Sequence, residues 1–314
     1  MQDLKNTTKD RRLLDLEEKR LIVSQDNRLI QNIATDENKK RNIKMSSFIL
    51  SPYQKKFISL MMSHLKPCDT EFPLEEITVN DFIYLMDIPK GGNTYQKVHQ
   101  AIQDLMSISF AIEEEPKRWK YLRWIATGCI VDENNNTITL KFDDCLKPYL
   151  LGLDRSFTAY ELGYISNLKK KYSLRLYEFL RSYLSLGKVK ISVNDFIAKI
   201  VDNQYQNITD IERYVIKPAL DEINKTTDIN AEYFRVKAKK DKRSKTTHFF
   251  FSIEMKGEDD LREVISTWGG IPMDEISEID FSERPKFKKE RENCTTPQAV
   301  PKKADDDEVY PFDV

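Results

Sequence analysis

Seven residues recur almost unchanged at two places in the chain: Ile77-Thr78-Val79-Asn80-Asp81-Phe82-Ile83 returns as Ile191-Ser192-Val193-Asn194-Asp195-Phe196-Ile197. A repeat at this separation implies two copies of one domain-sized unit. The copies stay in step, since Ala101-Ile102-Gln103-Asp104-Leu105 answers Ala219-Leu220-Asp221-Glu222-Ile223, with four extra residues in the second copy's intervening loop. A chain of 314 residues with 40% hydrophobic content can build two cores, each of about 100 to 150 residues.

Each copy reads as the same series of elements. In the first, Ser51 can cap and Pro52 can start an amphipathic helix carrying Phe57, Ile58, Leu60, Met61 and Leu65, which Lys66-Pro67 ends. A short strand at Ile77–Val79, a helix from Asn80 to Met86, a turn at Lys90-Gly91-Gly92-Asn93 and a helix from Thr94 to Ser107 follow. Strand signals then cover Ile108–Glu113, Tyr121–Val131 and Thr137–Phe142. The second copy predicts helix Leu168–Leu186, strand Val189–Val193, helices Asn194–Val201 and Thr209–Asn224, and a hairpin of Asn230–Lys237 with Thr246–Met255. This order predicts an α+β fold of two tandem winged helix-turn-helix domains. Residues 1–45 form a leader, 46–154 the first domain, 155–256 the second, and 257–314, which lose periodicity and gather acid, a disordered tail.

Charge sharpens this division. The net charge is only −1, yet the four segments carry +3, −4, +8 and −8 in chain order. Such asymmetry points to a polyanion-binding surface on the second domain and a tail that repels polyanions or contacts something else. Other classes lack their signatures. No run approaches the ~18 apolar residues of a membrane span, and the charged N-terminus has no apolar signal core, so the protein reads as cytoplasmic. Cys68, Cys129, Cys145 and Cys294 form no CxxC and read as reduced thiols. His64, His99 and His248 are isolated, no glycine-rich phosphate loop exists, and no ligand cluster accompanies a tyrosine, so neither enzyme chemistry nor any cofactor or metal is expected.

The residues that could bind lie on helices and a hairpin tip. On Thr209–Asn224, Ile211, Val215, Ala219 and Ile223 share one face at helical spacing, which turns Arg213, Tyr214, Lys217 and Asn224 outward. Arg can pair with guanine and Asn with adenine in the major groove, while Lys holds phosphate. Pro218 must kink this helix or mark its start. The hairpin tip carries Lys237, Lys239, Lys240, Lys242, Arg243 and Lys245, six cations in nine positions, as a wing lying along a DNA backbone would. In the first domain Gln96, Lys97, Gln100, Gln103 and Ser107 face out and Val98, Ile102, Leu105 and Met106 face in. The adjoining hairpin offers Lys117 and Arg118, so this domain is expected to contact DNA second and to supply a protein–protein surface.

Three segments carry a family resemblance: Phe157-Thr158-Ala159-Tyr160-Glu161-Leu162, Tyr172-Ser173-Leu174-Arg175-Leu176-Tyr177-Glu178, and Val215-Ile216-Lys217-Pro218-Ala219-Leu220-Asp221-Glu222-Ile223-Asn224. With Leu21-Ile22-Val23-Ser24, Asn27 and Leu29 ahead of them, the chain resembles, over roughly residues 21–256, the tandem winged-helix initiators of theta-replicating plasmids, which bind iterons. The resemblance implies monomers that bind direct repeats of double-stranded DNA at an origin, help open an adjacent AT-rich stretch and bring in the host initiator and helicase. It also implies dimers, formed through the first domain, that repress the protein's own gene. Carried over, Arg213, Lys217 and Asn224 read or grip the repeat and Lys239, Lys240, Lys242 and Arg243 hold backbone. The alternative from the same fold is a dimeric winged-helix repressor without initiation function; a rolling-circle nickase would need the histidine cluster that is missing.

Overall fold

The fold was described from a computed structural model, which covers residues 16–31, 50–66, 68–115, 118–126, 128–132, 134–153, 156–201, 203–237, 245–268 and 276, without the side chains of 113–115. The first elements belong to the leader: strand β1 (Ile22–Asp26) and helix α1 (Asn27–Gln31). Helix α2 (Pro52–Ser63) starts as expected, with the Ser51 hydroxyl accepting from the Gln54 amide and the Gln54 side chain accepting from the Ser51 amide.

The repeated heptapeptide is a strand, a cap and a helix start. Strand β2 (Glu75–Thr78) runs into α3 (Val79–Leu85) at Thr78, whose hydroxyl accepts from the Asp81 amide at 3.1 Å and donates to the Asp81 carboxylate at 2.6 Å. In the second copy, Ser192 makes the same pair of bonds with Asp195, at 3.0 and 2.6 Å. Ile77 and Phe82 are buried, as are Ile191 and Phe196. The motif recurs because the same corner is built twice. Apolar residues anchor the strand and the helix, and hydroxyl plus carboxylate fix the angle between them.

Helix α4 (Thr94–Ser107) has the expected limits. The expected strand Tyr121–Val131 is divided, however: β3 (Ser109–Glu115) pairs with β4 (Arg118–Arg123) as a separate hairpin, whereas β5 (Ile130–Asp132) joins β6 (Thr137–Leu140) and β2 in a three-stranded sheet ordered β2-β6-β5. Gly128, at φ +101°, adopts a conformation that L side chains resist, and it lies between the two strands. Beyond the short helix α5 (Lys147–Leu150), strand β7 (Phe157–Glu161) pairs antiparallel with β1. The leader is thus zipped to a strand beyond the first domain, and Val23, Ser24, Gln25 and Asp26 are all buried.

Helices α6 (Leu162–Asn167) and α7 (Lys171–Arg181) come next. The single helix expected over Leu168–Leu186 instead stops at Arg181, and a short 3-10 turn at Leu184–Leu186 closes on Gly187 at φ 65°. Strand β8 (Lys188–Ser192), helix α8 (Val193–Phe196, widening into a π turn at Ile197–Val201) and helix α9 lead to β9 (Ile229–Lys237) and β10 (Thr246–Met255). Helix α9 is continuous through three segments, Ile208–Ile211, Glu212–Ile216 and Lys217–Thr226. The sheet order, β8-β10-β9, reproduces that of the first unit.

The two cores are not separate. Among the described residues the buried apolar side chains of both units form one cluster. Helix α2 is buried on nearly every side, including Lys55 and Lys56. The Lys55 ammonium lies 2.6 Å from the Glu178 carboxylate of α7, which also accepts from Tyr160 and Gln25. Lys56 donates to the Met86 carbonyl at 2.7 Å and the Ser166 carbonyl at 2.6 Å, and burial lowers its pKa to about 8.

The tail also departs from expectation, because its start is helical. Helix α10 (Glu258–Ser266) places three acids in its first turn and buries Leu261, Val264 and Ile265, with Trp268 just beyond. Trp268 seats against Gly163 of α6, where any Cβ would stand 2.6 Å from the indole ring, and meets Tyr164 edge-on at 5.0 Å. Cys129 and Cys145 are free thiols, whereas Cys68 is disulfide-bonded, contrary to the expectation of reduced thiols throughout.

Candidate nucleic-acid interface

Helix α9 begins with Asn207, whose side chain accepts from the Thr209 amide at 2.9 Å. Pro218 has no N–H to donate, and the turn before it widens so that the Lys217 amide reaches the Glu212 carbonyl five residues back. The predicted disturbance is therefore a π turn within an unbroken helix. Ile211, Val215, Ala219 and Ile223 are buried as expected, together with Ile216 and Leu220, and Arg213, Tyr214 and Lys217 are exposed. The Arg213 guanidinium sits 5.3 Å over the Tyr214 ring.

Asn224 does not join them. Its amide donates to the Ala231 carbonyl at 2.9 Å and accepts from the Ala231 amide at 2.8 Å, so both ends are spent joining the helix to β9. A side chain so engaged is a splint rather than an outward reader. Lys256 completes the join by donating to the Thr227 carbonyl at the helix end, at 2.8 Å.

Glu212, a residue the sequence pattern did not single out, faces β9. Its carboxylate accepts from Arg235 and from the Tyr233 hydroxyl. The Arg235 guanidinium, with help from Tyr233, holds that carboxyl below the usual carboxylate range. The acid beside Arg213 in the chain is thereby neutralised and, at the same time, strand and helix are tied. A charge pair 23 residues apart has no sequence period, which is why pattern alone misses it.

The β9–β10 register pairs Lys237 with Thr246, so exposed Lys237 and Lys245 flank the tip. Lys239, Lys240, Lys242 and Arg243 lie outside the described residues. In the first unit Gln96, Lys97, Gln100, Gln103 and Ser107 are exposed on α4 and Val98, Ile102 and Leu105 are buried. Met106 is 37% exposed rather than inward, and Gln100 donates to the Asp104 carboxylate at 2.8 Å.

Arg118 opens β4 in the extra hairpin, and Lys117 lies outside the described residues. By sheet order the counterpart of the basic wing is the β5–β6 turn, where the Asp132 carboxylate accepts from the Asn134 and Asn135 amides at 2.9 and 3.1 Å. That turn offers no cation. Among the described residues no three His, Cys, Asp or Glu side chains are grouped to hold a metal ion, and no helix is long and apolar enough to cross a membrane.

Comparison with known proteins agrees with the doubled architecture. Residues 14–181 match the family described as "Initiator Replication protein, WH1", and residues 192–253 match "Initiator Rep protein, WH2". A replication initiation protein of Escherichia coli is 25% identical over 235 residues, 71% of each chain. The PI protein of Escherichia coli is 25% identical over 173 residues, 49% of this chain and 55% of that one. Among solved structures, the Pi initiator protein in complex with iteron DNA superposes with a TM-score of 0.57 at 16% identity, covering 76% of this chain and 99% of the other.

Proposed function

The chain belongs to the initiator replication protein family, and from that membership we propose that it starts plasmid replication by binding repeated double-stranded sites at an origin through both winged-helix units. The observation that carries this reading is the exposed set Arg213, Tyr214 and Lys217 on one turn of α9. Arg213 meets guanine acceptors in the major groove, Lys217 grips phosphate, and the wing from Lys237 to Lys245 follows the backbone. The first unit adds Gln96, Lys97 and Gln100 in a neighbouring groove, as a weaker reader without a basic wing.

The shared core supports a monomer that lays both helices on one face of a direct repeat, since the units are packed together rather than strung on a linker. Recruitment of the host initiator and helicase, opening of the origin, a monomer in equilibrium with a homodimer made through the first unit, and repression of the protein's own gene by that dimer complete the proposal. It acts in the bacterial cytoplasm, on plasmid DNA. Footprinting across the DNA flanking the gene tests it: protection of direct repeats spaced by about two helical turns is expected. Protection of a single inverted repeat alone would overturn initiation in favour of a dimeric repressor.

A further inference from the structure

The loop between α8 and α9 carries a tyrosine outside every sequence motif. Tyr205 is half-buried, and its ring stacks on Tyr214 with centroids 5.8 Å apart and planes 21° from parallel. It also meets Tyr172, at the start of α7, at 6.4 Å and 62°. Tyr172 is itself fixed: its hydroxyl donates to the Gln204 side chain at 2.6 Å, and that same oxygen accepts from Lys171 at 2.8 Å. Asn203 takes a left-handed φ of 58° to turn the chain into this arrangement. Three rings therefore run from the body of the second unit to Tyr214, and Arg213 rests over the last of them.

An arginine side chain on an exposed helix turn ordinarily samples many rotamers, and ordering it on binding weakens the complex. Here the π turn presents Arg213 and Tyr214 side by side, Tyr205 fixes the ring, and the ring's face holds the guanidinium. We propose that Tyr205 is a specificity-determining positioning residue, which pre-orders Tyr214 and through it Arg213 for contact with a base edge. The inference rests on Arg213 being a reading residue. In this role Tyr205 acts through Tyr214 and Arg213 rather than on a nucleotide, so its loss leaves the phosphate contacts in place.

The test uses the full chain and two duplexes: one enriched from a randomised pool by the unaltered protein, and one of the same composition in scrambled order. Tyr205→Phe keeps the ring and is expected to keep the affinity ratio between the duplexes. Tyr205→Leu keeps apolar bulk in the loop but loses the stack, and is expected to lower affinity for the enriched duplex about three- to tenfold, the cost of ordering one long side chain. Affinity for the scrambled duplex and its salt dependence should not move, and circular dichroism at the assay temperature should show the variant folded, with a melting temperature lower only by the few degrees that two lost ring contacts cost. Arg213→Ala should lower the ratio further, and Tyr205→Leu should add nothing in that background.

A Tyr205→Leu variant with the full ratio, or with equal losses on both duplexes, would overturn the proposal while leaving Arg213 as a reader. An Arg213→Ala variant with the full ratio would overturn the reading assignment and the proposal together. Additive losses in the double variant would show that the two residues act separately, which also overturns it.

Discussion

Removing the Trp268 side chain should unfasten helix α10. Trp268 is 1% exposed, and a large-to-small change at such a site costs about 3–5 kcal/mol. Among the described residues its indole Nε1 is buried without a hydrogen-bond partner, so truncation also relieves a desolvation cost of about 1–3 kcal/mol. The expected net loss for Trp268→Ala is about 2 kcal/mol, the difference of the two midpoints, or a melting temperature lower by roughly 4–8 °C. Gly163→Ala supplies the complement: its new methyl would stand 2.6 Å from the indole, which Tyr164 blocks on one side, and overpacking of this kind costs about 1–3 kcal/mol. In the Trp268→Ala background the clash disappears and only the better helix propensity of alanine remains, worth up to about 1 kcal/mol, so the sign of the Gly163→Ala effect should reverse. Urea denaturation of the four proteins followed by circular dichroism reads both quantities. A Trp268→Ala shift below about 0.5 kcal/mol, or the same Gly163→Ala effect in both backgrounds, would refute the docking of α10.

Replacing Lys239, Lys240, Lys242 and Arg243 together by Ala should weaken binding to every duplex alike and flatten the salt dependence by about 0.9 for each phosphate no longer neutralised; an unchanged slope in filter binding or anisotropy would remove the tip from the interface. Glu212 has a folded-state pKa below its unfolded value, so its stabilisation is present above about pH 4.5 and is lost as pH falls through the folded value. Glu212→Gln should therefore lower stability at neutral pH and flatten the acid limb of the stability profile. Lys56 shows the opposite sense: with a folded pKa of about 8 against 10.5 unfolded, the unfolded chain binds more protons between those values, and stability should rise from pH 8 to 10.5. That rise should vanish in Lys56→Met, as measured by urea midpoints across the range.

Local pattern was enough for most elements, because the forces that set them are local. The limits of α4 and β10, the Ser51 cap and the buried stripe of α9 all follow from spacing within a few residues. The misses share another cause, which is that the deciding partner lies far along the chain. Strand β1 is buried by β7 across more than a hundred residues, the expected Tyr121–Val131 strand divides between two different partners, and Asn224 faces inward because Ala231 offers both backbone groups to its amide. The helical stripe Leu261, Val264, Ile265 and Trp268 was present in the sequence but lay within a strongly acidic segment, where average composition outweighed a nine-residue period.

The joint between the units is polar as well as apolar, and that choice has a consequence for how the proposed repeated site would be measured. Lys55 with Glu178, and Lys56 with two carbonyls, take up buried positions that apolar residues of similar size would fill at least as stably. What such groups do supply is a penalty for misalignment, since a shift of α2 along α6 and α7 would strand a buried charge without its partner, at several kcal/mol. An apolar interface slides at smaller cost. The polar joint therefore resists changes in the separation and angle between α4 and α9, while the link from Glu212 to Arg235 fixes α9 relative to its wing. Under the function proposed above, site selection would then depend on two matched quantities, the bases under Arg213 and the distance between the two grooves entered, and only the first would be set by side chains on α9 itself.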